Sequence, residues 1–405
     1  MTIHLLRDKG TPLDRQVFTW RELAGPPYSK LDADAFTRVR VILMNGIESE
    51  AVRFGHSFAR MNRDLRREMA QIRRIDHFQQ TMINWLNPPD QSALETTIGF
   101  EQVAIEVTAG VALAEPDEYL AQVYRFGLLE DFDHLYRYAA LMDRVEGKDA
   151  NSLLQSYTDI LPGRPTSIEH RHPDDDLRTP YRKDDVDFVS RLNALTIMAG
   201  EHQTHDYYMN VGPSFADPTA RMLYAEIAAI EEQHVTQYES IIDPSETWLE
   251  KWLLHEANEV YNHWSCVESE DEPHVKRIWE RFLDYELGQL RVVAELFEKH
   301  QRRDAAEVLP ERLPQPIQYV SHRDYVREVL AAEVGLSAGG HDFIDRADES
   351  EATRSYRDHL NQHGSASDIV AADYVWRPGT ELTGIEPGAV VVPPTLATEQ
   401  IRRSS

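Results

Sequence analysis

Residues 217–240 read DPTARMLYAEIAAIEEQHVTQYES, and the fold turns on how they are read. Asp217 offers an N-cap acid and Pro218 stands where the first helical residue would be, so a helix starts here. Leu223, Ile227 and Ile230 then recur at three- and four-residue spacing, the period of an amphipathic helix. Glu231 and His234 lie three apart within it and share one face.

The same period runs outward in both directions. It predicts helices over roughly 35–61, 63–87, 92–114 and 117–146, then 184–211, 217–242, 245–268 and 272–300. Ser92 with Glu95 reads as a capping box, and Asp243-Pro244 as a second acid–proline start. Residues 1–34 read as an irregular arm. Residues 148–183, with Pro162, Pro165, Pro173 and Pro180, read as a linker along the surface. Residues 302–405, broken by Pro310, Pro314 and Pro316, read as an extension with short helices near 322–335 and 350–362. Its end, with Val390-Val391-Val392-Pro393-Pro394, reads as extended. The expected fold is all-α: two tandem four-helix bundles, 35–147 and 184–301, with an irregular C-terminal extension.

A repeat underlies the two sets. A shift of 155 carries Leu94, Glu95 and Glu101 onto Leu249, Glu250 and Glu256, and Leu135, Ala139 and Leu141 onto Leu290, Ala294 and Leu296. A shift of 154 carries Leu43-Met44-Asn45-Gly46 onto Ile197-Met198-Ala199-Gly200. The chain reads as one four-helix unit used twice.

In the second unit, Glu201, Glu231, Glu256 and Glu286 are spaced by 30, 25 and 30 residues, one near the middle of each predicted helix. His234, Glu259 and Gln289 follow the last three by three positions, and His205 follows the first by four. Facing carboxylates repel unless protons or cations relieve them. The solvated-face reading of these acids, with His234 a satisfied core histidine, stands as the alternative.

These residues resemble the ferritin-like superfamily of carboxylate-bridged di-metal proteins, whose pattern is Glu, Glu-x-x-His, Glu, Glu-x-x-His over four helices. The resemblance implies metal ligation by Glu201, Glu231, His234, Glu256 and Glu286, with Glu259, Gln289 and His205 as further candidates. Gln289 departs from the enzymes of the family, although ferritins place glutamine there. Glu256-x-x-Glu259 resembles the third helix of rubrerythrins. The implied cofactor is two iron ions, with manganese the alternative.

By the same shifts the first unit offers Ile47, His77, Glu101 and Asp131, with Gln80 and His134 as the three-residue partners. Glu101, Asp131, His134, His77 and Glu50 form a weaker second candidate set. A metal-free scaffold, a mononuclear site and a rewired dinuclear site using Glu50 all stand as readings of it. Glu169-x-x-His172 also matches the short motif but sits in the linker, where it reads as chance. Tyr207, Tyr208, Tyr224, Tyr238, Tyr261 and Tyr285 read mainly as packing, with a ligand hydrogen bond the alternative role.

Composition narrows the rest. Over 405 residues, 42 Lys+Arg oppose 69 Asp+Glu, a net charge of -27 that argues against nucleic acid or an anionic membrane as partner. The single cysteine, Cys266, excludes a disulfide framework, a thiolate zinc site and a rubredoxin-type centre. The N-terminus shows no long apolar stretch, and no window approaches eighteen uncharged apolar residues. A cytoplasmic protein with no membrane span is expected, and a homodimer is left open. The functional expectation is a non-haem di-iron oxidoreductase acting with O2 or peroxide and an unidentified small molecule, its site in the second unit. Ferroxidation or iron handling, and a metal-free helical scaffold, are the alternatives.

Overall fold

The computed structural model describes residues 2–376. Eight long helices dominate the described residues: α1 (Ala35–Met61), α2 (Arg66–Asn84), α3 (Ala93–Ala114), α4 (Glu118–Glu146), α5 (Phe188–Val211), α6 (Pro218–Ser240), α7 (Trp248–Ser269) and α8 (Pro273–Gln301). Among the described residues the only sheet is a two-stranded hairpin, so the fold is all-α. The run Val390–Pro394 lies outside the described residues.

Local chemistry sets the helix starts. Ser92 and Glu95 close a capping box on α3, and Thr247 and Glu250 close its counterpart on α7. Asp217 accepts from the Ala220 amide with Pro218 at the first turn of α6. Asp243-Pro244 does not begin a helix, contrary to expectation. The Asp243 carboxylate is taken up by the amides of Lys183 and Ser245, and Thr247 supplies the cap instead. The 155-residue offset holds at element limits: Ala93–Ala114 and Glu118–Glu146 fall on Trp248–Ser269 and Pro273–Gln301.

Short connections pair the helices as hairpins α1–α2, α3–α4, α5–α6 and α7–α8. The hairpins then combine out of phase with the repeat. α3 packs against α5 and α4 against α6, forming a central group from the middle of the chain. α1 packs against α7, and Gln79 of α2 reaches Glu286 of α8, forming an outer group from the two ends. α1 against α5 and α3, and α5 against α7, join both groups into one core. The inner helix α3 is long and apolar enough to cross a membrane by length and composition, yet 78% of that stretch is buried within the protein.

The 148–183 segment is not a surface linker. Arg164, Glu169, His170 and Arg171 are buried against α4 and α6. Asp133 of α4 anchors the segment by accepting from the amides of Gly163 (3.0 Å) and Thr166 (2.7 Å). The N-terminal arm crosses α8, where the Thr11 amide donates to the Asp284 carbonyl and Gln16 donates to that of Tyr285. Beyond α8 the chain forms α9 (Arg323–Glu333), a hairpin of β1 (Leu336–Gly339) and β2 (Asp342–Asp345), α10 (Glu351–Leu360) and α11 (Ala366–Ala371). These act as a cover: Phe343 packs on Phe126 of α4, and the Tyr136 hydroxyl donates to the Tyr374 carbonyl.

Candidate metal centres

In the central group, six side chains from four helices converge: Glu101 (α3), Asp131 and His134 (α4), Glu201 (α5), and Glu231 and His234 (α6). None is more than 2% exposed. Donor atoms of Asp131, Glu201, Glu231 and His234 lie within 4.8 Å of one another, as do those of Glu101, His134 and Glu231. Glu231 belongs to both sets and so sits between them.

The imidazoles have a common orientation. His134 turns Nε2 to Glu169 (3.0 Å) and Nδ1 to Glu231 (3.1 Å). His234 turns Nε2 to Glu130 (2.8 Å), leaving Nδ1 beside Asp131 (3.2 Å), Glu231 (3.4 Å) and Glu201 (3.6 Å). None of these three approaches counts as a hydrogen bond, so His234 Nδ1 has charged neighbours but no hydrogen-bond partner. Both oxygens of Asp131 and one each of Glu101, Glu201 and Glu231 are likewise buried and unpartnered. Orphaned donors of this kind, inward-facing on four helices, are the arrangement a bound cation would satisfy.

Outer contacts stiffen the arrangement. Glu130 is paired with Arg164 and Arg171, both drawn from the 148–183 segment. Burial opposes ionisation of Glu130, but Arg171 and His234 outweigh it and hold the carboxyl well below its ordinary range. Burial likewise opposes charge on His134, yet the Glu169 carboxylate raises it well above its usual value. Burial pushes Glu101 and Glu201 up. Tyr208 donates to Glu101 and belongs to a ring cluster with Tyr138 and Tyr224. A narrow void of about 10 Å³ lies against Glu201, lined mainly by small and apolar residues including Leu43, Val103, Val107, Ile197 and Gly200.

A second cluster occupies the outer group: Glu48 (α1), Asp76 and Gln79 (α2), Glu256, Glu259 and His263 (α7), and Glu286 and Gln289 (α8). Oxygens of Glu48, Asp76, Glu259 and Glu286 lie within 4.8 Å of one another. Gln79 Nε2 donates to Glu286 (2.6 Å), and His263 Nε2 faces Glu48 (2.9 Å). Trp252 donates to Glu256 (2.8 Å). Burial, then the neighbouring carboxylates, raise Glu48, Asp76, Glu256 and Glu259 well above the usual range. Burial pushes Glu286 up to about 7, against hydrogen bonds with Glu259 and Gln79.

The sequence-derived set is therefore redistributed. Glu201, Glu231 and His234 do not meet Glu256, Glu259, Glu286 and Gln289; the first three join Glu101, Asp131 and His134. The cause is the crossed pairing of hairpins, which adjacency in the chain does not reveal. His77 is exposed and belongs to neither cluster, because one residue along a helix turns the side chain by roughly 100° and brings Asp76 inward instead. Ile47 yields to Glu48 in the same way. Glu50 pairs with His202 (2.7 Å) on the wall of a cleft of about 500 Å³ that also holds Arg53, Trp248 and Lys251. His205 faces Asp206 at the periphery and ligates nothing with the others. Glu169, read as a chance motif match, is the partner of His134, and Asp76 and Gln79 were not singled out. A shift of 155 applied to the first hairpin would have found them, since it places Asp76 on Glu231 and Gln79 on His234.

Comparison of the chain with protein-family models, curated proteins and solved structures gives no match.

Proposed function

We propose that the central cluster is a di-metal centre, read as iron with manganese the alternative, and that the chain is an O2- or peroxide-dependent oxidoreductase of ferritin-like type. The supporting observation is the pair of imidazoles. Each has Nε2 committed to a carboxylate, Glu169 or Glu130, and Nδ1 turned inward among shared carboxylates. Glu101 and His134 would hold one ion, Asp131, Glu201 and His234 the other, with Glu231 between them. Two first-row ions, when bound, supply electrons and Lewis acidity toward a small oxidant.

The protein's own contribution is orientation and exclusion. Glu130 and Glu169 take up each Nε2, so Nδ1 of each ring is the nitrogen turned toward the carboxylates that would share an ion. Tyr208 commits one oxygen of Glu101 and leaves the other to the centre. The void at Glu201 suits a species of water or dioxygen size rather than an organic substrate. That size also favours the second reading, oxidation and hand-off of iron itself.

The test is anaerobic loading with ferrous iron followed by exposure to oxygen. Iron held by this centre and lost in His134→Ala, with oxygen uptake matched to it, supports the enzyme. Many irons oxidised per chain favours iron handling. Wild-type protein that takes up no iron overturns both and leaves the helical scaffold.

A further inference from the structure

The outer cluster answers the central one position by position. Glu256, Glu286 and Asp76 stand 155 residues from Glu101, Asp131 and Glu231, and Glu48 takes the place of Glu201. Both imidazole positions are exchanged, since Gln289 stands 155 residues from His134 and Gln79 stands 155 from His234, while Glu259 and His263 fall on Ala104 and Thr108 and are additions. The outer cluster thus keeps the carboxylates and replaces both imidazoles with amides.

We propose that this outer cluster is a separate site for one hard divalent cation of the manganese, magnesium or calcium class, bound through oxygen alone by Glu48, Asp76, Glu259 and Glu286. Those four carboxylates already place oxygens within 4.8 Å of one another. Among the described residues, none of them pairs with a lysine or arginine. Gln289 provides an independent indication. It is fully buried, and its amide nitrogen is anchored to Glu286 (3.1 Å) and Gln79 (3.2 Å). Its carbonyl oxygen has no partner, so a neutral oxygen donor is held unused beside the carboxylates. A buried acceptor without a donor is costly, and a cation satisfies it.

Donor type determines which ion the site takes. Carboxylate and carbonyl oxygens suit magnesium, calcium and manganese, whereas imidazole favours zinc, copper and iron. One imidazole is within reach: a ring nitrogen of His263 lies within 4.8 Å of oxygens of Glu48 and Glu286, and its contact from Nε2 to Glu48 (2.9 Å) assigns it here to positioning that carboxylate. One chain would then carry two centres of different selectivity, and the outer one does not depend on what the central one binds.

The test uses the full chain with His134→Ala and His234→Ala, stripped of metal and titrated with Mn2+ alone. One manganese per chain is expected, without nitrogen coupling in its pulsed EPR spectrum, and lost on adding Glu48→Gln with Glu286→Gln. Failure of the folded histidine variant to bind manganese overturns the proposal and assigns the cluster to carboxyls sharing protons. Nitrogen coupling in that variant overturns the oxygen-only site, since His263 would then be a ligand. If the variant does not fold, the wild type decides. A manganese lacking nitrogen coupling and weakened by Gln289→Leu is expected, and its absence overturns the proposal.

Discussion

Gln79 on α2 donates its side-chain amide to Glu286 on α8 across 2.6 Å, although 207 positions separate them along the chain. His134 meets Glu231 in the same manner over 97 positions. Each cluster thus takes one hairpin from residues 35–147 and one from residues 184–301, and a change in one half acts on residues of the other.

Glu169 tests how far this reaches. It comes from an irregular segment, yet it holds Nε2 of His134. Glu169→Gln should weaken metal binding at the central centre by roughly 10–100-fold, the usual effect of losing a partner behind a ligating histidine. Chelator competition measures it, and unchanged affinity would detach the segment from the centre.

Tyr208 donates to the buried Glu101 carboxylate. Tyr208→Phe leaves that oxygen without a donor and should lower the stability of the metal-free protein by about 1–3 kcal/mol. Urea unfolding reports the difference. A midpoint equal to wild type would mean that water or another donor replaces the hydroxyl.

Gly288 is where the N-terminal arm touches α8. A methyl group there would stand 1.9 Å from the Thr11 carbonyl oxygen, and backbone cannot yield as a flexible side chain does. Gly288→Ala should displace the arm at a loss of about 1–3 kcal/mol, as overpacking does elsewhere. Faster proteolysis near residues 8–18 is the accompanying sign, and an arm as resistant as in wild type would contradict the contact.

Glu250 closes the capping box of α7 and pairs with Lys183 and Arg303. Burial opposes its ionisation, but the Thr247 amide and the two cations bring it down to about 2 from an ordinary 4.5. A depressed carboxyl stabilises the fold above its unfolded value and loses that contribution as the pH falls through the folded one. Glu250→Gln should therefore be less stable than wild type at neutral pH, with the gap closing between about 4.5 and 2. Urea midpoints of both proteins against pH read this out, and a constant gap would refute it.

Much of this was legible in the sequence, and the limits were physical. Helix positions followed from period and caps, because those signals are local: Ser92 with Glu95 and Asp217 with Pro218 mark real starts. The ligand types were also legible, since Glu231-x-x-His234 and Asp131-x-x-His134 each occupy one helix face. Partner choice was not. A hairpin offers the same apolar stripe to either neighbour, so nothing local distinguishes α5–α6 packing on α3–α4 from packing on α7–α8. The one-residue slip at His77 has a related origin, since apolar matches fix register only to the width of the stripe. Glu169 was unreadable for another reason: its role depends on a segment without periodicity being pressed against α4.

The crossed hairpins also bear on how the protein is made. Emerging from the ribosome, α3 to α6 form a contiguous stretch and can close around their six donors once α6 is clear of it. The first hairpin cannot. Its Glu48, Asp76 and Gln79 must wait for α7 and α8, at the other end of the chain, before their cluster can close, although α1 has α3 and α5 to pack on earlier. Distant closure of this kind is slow and leaves sticky surface exposed in the meantime. All four helices of the central cluster are thus present in the chain before the last two of the outer one.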